Sequence, residues 1–286
     1  MPSDIFCLRD GHRTFFKWHR GRRTITDPVF TGQRIIEGMR LGASVEVDLV
    51  RHASNGFAVL HDETLDRETT GHGPVAEASA DVIRQLRLRD NDGQPTAHPV
   101  MILEDLTALL AKGGLHPDAL LQLDFKQTLA DLTPDNLAGF TQAVAPVQEH
   151  MILSSGDAEA VDALARALPR LHVGYDPCHD GKLEELMESK DFADFVESAL
   201  EDSPRAEMIY LNYALVLFAD DNGFDIVKAF HDGGRRIDAY TIQSAGEESA
   251  DTVERLLDLK VDQITTDDPV GLGRLITKID ADEAEI

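Results

Sequence analysis

Four short motifs place titratable side chains near the ends of apolar runs: His19-Arg20-Gly21, Glu46-Val47-Asp48, His61-Asp62 and Asp124-Phe125-Lys126. In a strand, residues two apart face the same way, so Glu46 and Asp48 share one face while Val45, Val47 and Leu49 take the other. Gln122, Asp124 and Lys126 share a face by the same rule. Two carboxylates crowded where water is scarce must raise one pKa or meet a compensating charge. A single divalent cation supplies that charge, with Asp124 as a third oxygen ligand beside Glu46 and Asp48. All-oxygen ligation suits Mg²⁺ or Ca²⁺ equally. The histidines do not fall at zinc-ligand spacings, which argues against Zn²⁺.

A cation flanked by Arg20 and Lys126 makes a local anion site. Arginine forks onto phosphate oxygens and lysine offers a compact charge. The combination points to phosphoryl chemistry, in which metal and side-chain cations offset charge on the nonbridging oxygens. His19 and His61 supply groups that change protonation near neutral pH and so suit acid–base work. Alone, a Glu-x-Asp pair more often marks a solvated strand edge, and a lone histidine a structural hydrogen bond. The ordered set outweighs those readings.

In order, these motifs resemble the signature of the glycerophosphodiester phosphodiesterase family, within the phospholipase C-like phosphodiesterase superfamily. The segment Leu65-Asp66-Arg67-Glu68-Thr69-Thr70-Gly71-His72-Gly73-Pro74-Val75 resembles the family's turn after its second histidine. Val261-Asp262-Gln263-Ile264-Thr265-Thr266-Asp267-Asp268-Pro269 resembles its last barrel strand. The resemblance implies a metal-dependent barrel enzyme that cleaves a glycerophosphodiester or related small phosphodiester to a phosphomonoester and an alcohol. It implies His19 and His61 as the catalytic pair and Glu46, Asp48 and Asp124 as ligands of one Mg²⁺ or Ca²⁺. It further implies that Arg20 and Lys126 contact phosphate and that Tyr240, matching a family tryptophan, lines the substrate pocket. Asp124 stands where the family usually has Glu, and Gln243 where Asn is common. Pro28-Val29-Phe30-Thr31 replaces the family's Pro-Glu-Asn-Thr, and His98-Pro99-Val100-Met101 replaces Ile-Pro-Thr-Leu. Two alternatives accompany this reading: a lyase that releases a cyclic phosphate, similar to spider-venom sphingomyelinase D, and a catalytically silent phosphodiester-binding protein.

The elements that must hold these residues alternate in type. Strands are expected at 15–18, 44–50, 120–125, 150–153, 171–175, 208–211, 236–242 and 262–265, with apolar spacing of three to four residues between them. Eight strands with helical crossovers predict a (β/α)8 barrel, with an open doubly wound sheet as the alternative. Phe57–Leu60, after the Ser54-Asn55-Gly56 turn, reads as a strand returning beside the second barrel strand. It opens an insertion at about 52–100, rich in Gly and Pro, within one barrel domain spanning 1–286. One acid-rich helix is expected over 183–200. Cys178-His179, beside Asp176 and Asp180, reads as a turn ahead of it.

The chain has 286 residues, 27 Lys+Arg and 52 Asp+Glu, a formal charge of −25. That charge disfavours nucleic acid or an anionic membrane as the main partner and leaves a small-molecule phosphodiester as the expected one. No apolar stretch reaches the length of a membrane span, and the first residues lack the pattern of a signal peptide. The expected compartment is therefore the cytoplasm. Cys7 and Cys178 are expected to be an incidental pair of thiols rather than a bridge.

Overall fold

The computed structural model describes residues 3–179 and 181–283; Asp180 and the Met1-Pro2 start lie outside the described residues. The strands in chain order are β1 (Phe6–Arg9), β2 (His12–Trp18), β3 (Ser44–Arg51), β4 (Phe57–Val59), β5 (Arg87–Arg89) and β6 (Pro95–Pro99). They continue with β7 (Leu120–Phe125), β8 (Met151–Ser154), β9 (His172–Tyr175), β10 (Met208–Asn212), β11 (Arg236–Ile242) and β12 (Gln263–Thr266). Contacts group the described residues into two compact units. One draws on the described residues within 3–18, 23–25 and 173–283, the other on His19–Arg22 and Thr26–His172.

The second unit carries the motifs of interest. Its β3 runs parallel to β7, and β7 parallel to β8, while β4 turns back antiparallel against β3. Every residue of β3 from Ser44 to Val50 is buried, with Val45, Val47 and Leu49 on one face and Glu46 and Asp48 on the other. Helix Gly32–Leu41 precedes β3 and ends where Gly42, at φ 89°, supplies the left-handed residue that closes it. Helix Leu103–Leu110 precedes β7. Helix Pro134–Val144 follows β7 and starts with a reciprocal Thr133–Asn136 capping box.

In the first unit β2, β12, β11, β10 and β9 pair in parallel succession, and β1 adds antiparallel to β2. Lys17 and Asp238 form a buried ion pair at 3.0 Å, supported by a 2.6 Å hydrogen bond from Thr265 Oγ1 to Asp238 Oδ1. Lys17 Nζ also sits 4.2 Å from the centre of the Tyr210 ring. Among the described residues, eight strands thus run parallel to a neighbour, with helical segments in the connections between them, and the fold is a (β/α)8 barrel with insertions rather than an open sheet. No helix among the described residues is long and apolar enough to cross a membrane.

Three elements depart from the sequence reading. β1 was not expected; it forms a hairpin with β2 through Asp10-Gly11, both at positive φ, a dipeptide suited to that turn. The insertion holds a second hairpin, β5–β6, whose mostly polar residues and two prolines hide it from an apolar-periodicity search. The single helix expected over 183–200 is two helices, Lys182–Ser189 and Phe192–Asp202. The break is at Lys190, which takes φ 62° and donates its N–H to Leu186 O at 2.8 Å. Cys7 and Cys178 are free thiols. Asp176 forms the turn at Cys178-His179, accepting the Cys178 N–H on Oδ1 and contacting His179 Nδ1 through its carbonyl oxygen, both at 2.8 Å.

Candidate active site

His19 follows β2 directly and opens a tight turn, His19–Gly21, in which Arg20 (φ 54°) and Gly21 (φ 68°) are both left-handed. A Cβ on Gly21 would lie 2.9 Å from Ile35 Cγ1, so the turn needs glycine for conformation and for the close approach of helix Gly32–Leu41. Both ends of the Arg20 peptide are held: its N–H donates to Glu46 Oε2 at 2.7 Å, and its carbonyl accepts the Phe30 N–H at 2.7 Å. Phe30 is itself left-handed and fully buried. It therefore braces the turn through its backbone and fills the core with its ring. The Arg20 guanidinium reaches Asp48, with Nε 3.2 Å from Oδ2.

Parallel pairing of β3 and β7 sets Glu46 opposite Gln122 and Asp48 opposite Asp124. Carboxylate oxygens of Glu46, Asp48 and Asp124 all lie within 4.8 Å of one another. A relay from the next strand fixes Asp124: Gln122 Nε2 donates to Ser154 Oγ at 2.8 Å, and Ser154 Oγ donates to Asp124 Oδ1 at 2.7 Å. Lys126 Nζ donates to Asp124 Oδ2 and stands 2.8 Å from Asp48 Oδ1. Burial works against the charged form of Lys126, but Asp124, Asp48 and Glu46 outweigh it and hold its pKa above the ordinary lysine range.

Asp48 is the unresolved charge of this group. Burial, then the neighbouring Glu46, pushes its pKa up from 3.8 to about 7 against the pull of Lys126 and Arg20. Both of its carboxylate oxygens are buried without a well-aligned hydrogen bond, although Lys126 and Arg20 are within ion-pair distance. Three clustered carboxylates, one fully buried and short of donors, make an oxygen-rich donor set that suits a hard divalent cation. The residues fit the cation expected from the sequence.

A second group, His61, Asp62 and Glu68, also offers ligand atoms within 4.8 Å of one another. β4 returns the chain from β3 and delivers His61 two residues beyond its end. Here the acceptors are engaged: Glu68 Oε2 takes the backbone N–H groups of His61 and Asp62, both at 3.0 Å. Arg67 forks onto both oxygens of Asp62 at 2.6 Å, and Asp62 Oδ1 lies 2.9 Å from His61 Nδ1. The Arg67 fork, with His61, holds Asp62 at a pKa of about 2 despite its partial burial. Asp48 also adds to the field that raises the Arg67 pKa, so the two groups lie within electrostatic reach.

The structure thus brings Arg20, Glu46, Asp48, Asp124 and Lys126 into one cluster and sets His61 in an adjoining one. His19 stands at the head of the turn whose next N–H binds Glu46. Tyr240 belongs to the other unit, where its hydroxyl donates to Asp176 Oδ2 at 2.9 Å. Ser154, which aims Asp124, carries no motif that would single it out in the sequence. Arg67 and Glu68 were visible only as members of a turn.

A sequence profile described as the glycerophosphoryl diester phosphodiesterase family matches residues 34–270. No curated protein sequence matches significantly. Among solved structures, one from Silicibacter pomeroyi assigned to that family is 19% identical with a TM-score of 0.69, covering 93% of this chain and 94% of that one. A glycerophosphodiester phosphodiesterase of Agrobacterium tumefaciens is 20% identical, TM-score 0.63, covering 92% and 99%. A phosphodiesterase of Oleispira antarctica, solved with the product sn-glycerol-3-phosphate, is 16% identical, TM-score 0.63, covering 92% and 96%. At these identities the structures share the fold. The matched span begins after His19 and Arg20, which the hydrogen bond from Arg20 to Glu46 ties to the carboxylate cluster.

Proposed function

The chain belongs to the glycerophosphoryl diester phosphodiesterase family, and we propose that it hydrolyses a small phosphodiester with one divalent cation and two histidines. Family membership and the two carboxylate-containing clusters support hydrolytic phosphodiester chemistry in general. The observation that carries the finer reading is Asp48: a buried, donor-poor carboxylate wedged between Glu46 and Asp124.

Glu46, Asp48 and Asp124 would hold Mg²⁺ or Ca²⁺, which supplies Lewis-acid stabilisation to the phosphate oxygens. Arg20 and Lys126 both sit against Asp48. Were a cation to neutralise the carboxylates, Arg20 and Lys126 would be available to the nonbridging oxygens of a diester. One histidine takes a proton from the nucleophile as its oxygen bonds to phosphorus. The other protonates the departing alkoxide as its P–O bond breaks. The nucleophile is a neighbouring hydroxyl of the substrate, giving a cyclic ester that water opens, or water itself. Tyr240 is the proposed packing surface for the alcohol. The domain is proposed to span 1–286, with its insertion at about 52–100.

Phosphorus NMR of the products tests this reading across an aryl diester, glycerophospho-alcohols, lysophospholipids and sugar phosphodiesters with Mg²⁺ or Ca²⁺. The expected end product is a phosphomonoester. A cyclic ester that accumulates and persists supports the lyase alternative, and tight binding without cleavage supports the silent one.

A further inference from the structure

His61 sits in a closed ring of interactions. Its Nδ1 faces Asp62 Oδ1 at 2.9 Å, Arg67 forks onto Asp62, and Arg67 Nη2 approaches Glu68 Oε1 at 3.4 Å. Glu68 closes the ring by accepting the backbone N–H groups of both His61 and Asp62. Glu68 is 4% exposed, so its charge is held in place by these donors rather than by water. The inserted hairpin grips the backbone from Glu68 to Thr70: the Arg89 N–H donates to Glu68 O at 2.8 Å, and the Thr70 N–H donates to Arg87 O at 2.9 Å. Arg89 Nε adds a bond to Thr69 O at 2.6 Å.

We propose that Asp62, Arg67 and Glu68 form a positioning clamp that fixes the proton of neutral His61 on Nδ1 and leaves Nε2 as the atom that exchanges a proton with the diester. This rests on the acid–base role given to His61 above. An ionised carboxylate beside Nδ1 favours the tautomer that donates to it and steadies the imidazolium once Nε2 is protonated. Asp62 is kept ionised by the Arg67 fork. Glu68 fixes the backbone from which both side chains spring, and the hairpin β5–β6 holds Glu68. The insertion thereby buttresses one proton-transfer residue. The same cluster is poorly suited to a second cation, because a cation would have to displace two backbone N–H groups from Glu68 and an arginine fork from Asp62.

Imidazole ¹⁵N NMR of the full chain, with H61Q to assign the signal, tests the clamp independently of activity. Neutral wild-type His61 is expected as the Nδ1–H tautomer, shifting towards Nε2–H in R67M and in D62N. With a generic aryl diester and saturating Mg²⁺, D62N and R67M are expected to lower kcat roughly 10- to 100-fold with KM little changed. R67K, which keeps the charge but not the fork, is expected to fall between wild type and R67M. Arg67 is 61% exposed on its side chain, so the Arg67 variants retain the fold even if changes at Glu68 do not. An Nε2–H tautomer in the wild type, or R67M and D62N with unchanged tautomer and kcat, overturns the clamp. So does Mn²⁺ broadening of the His61 signal that persists in D48N and disappears in E68Q, which assigns the cluster to a cation. If no diester is cleaved by any form, the function assigned above fails, and the tautomer shift alone decides the clamp.

Discussion

Asp48 on β3 and Asp124 on β7 occupy the same register position on adjacent parallel strands, and the Lys126 ammonium reaches both carboxylates. Parallel pairing gives this geometry directly, because residues 76 positions apart in the chain become lateral neighbours. Together with Glu46 they leave more negative charge than Lys126 and Arg20 satisfy by hydrogen bonding. That imbalance is what a divalent cation would relieve.

Stability without the cation is expected to fall as pH rises from about 4 to about 7. The Asp48 carboxyl has a pKa raised from 3.8 to about 7, so the folded state holds this proton more tightly than the unfolded chain. The favourable contribution is complete below the unfolded value and gone above the folded one, a loss on the order of 4 kcal/mol. Mg²⁺ or Ca²⁺ should therefore raise Tm more at pH 8 than at pH 5, and D48N should remove the difference. Equal cation effects at both pH values in the wild type would contradict this assignment.

Lys126→Met should destabilise the cation-free protein by roughly 3–5 kcal/mol, the usual cost of stranding one partner of a buried pair. Urea unfolding in EDTA and in saturating Ca²⁺ reads the effect. Most of the loss should be recovered with the cation, since it takes over the compensation of Asp48 and Asp124. An identical loss in both conditions would mean that no cation binds there.

H19A and H61A should each lower turnover by about 10²–10⁴-fold while leaving the far-ultraviolet spectrum and Tm close to wild type. Neither side chain is a large apolar filler, so the fold does not depend on it. Unchanged steady-state turnover in both variants would remove the two-histidine mechanism.

In the other unit, Lys17→Met should cost roughly 3–5 kcal/mol by leaving Asp238 buried and unpaired. The double variant K17M/D238L should recover much of that, because it removes both charges together. Urea midpoints of the two variants decide it: a double variant no better than K17M would show that the pair does more than compensate charge.

The legible part of this protein is the part written in period-two alternation. Glu46 and Asp48 reveal a shared strand face, β7 and β11 fall where the apolar runs place them, and β4 returns as the Asn55-Gly56 turn suggests. The less legible parts rely on partners distant in sequence. Ser154 matters because β8 pairs with β7 and sets it opposite Asp124, and Glu68 because its carboxylate folds back onto the His61 backbone. The β5–β6 hairpin carries little hydrophobic signal, and no Gly or Pro marks the break at Lys190. The departure at Val29-Phe30 reads as lost polarity in sequence; in the fold Phe30 supplies a backbone donor to Arg20 and a ring to the core.

The most direct test is the rate of cleavage of a generic aryl phosphodiester after stripping with EDTA and stepwise return of Mg²⁺ or Ca²⁺. The account predicts no turnover in EDTA, a single saturable recovery with one of these cations, and loss of that recovery in D48N. Full turnover in EDTA, or recovery by D48N indistinguishable from wild type, would contradict a cation held by Glu46, Asp48 and Asp124.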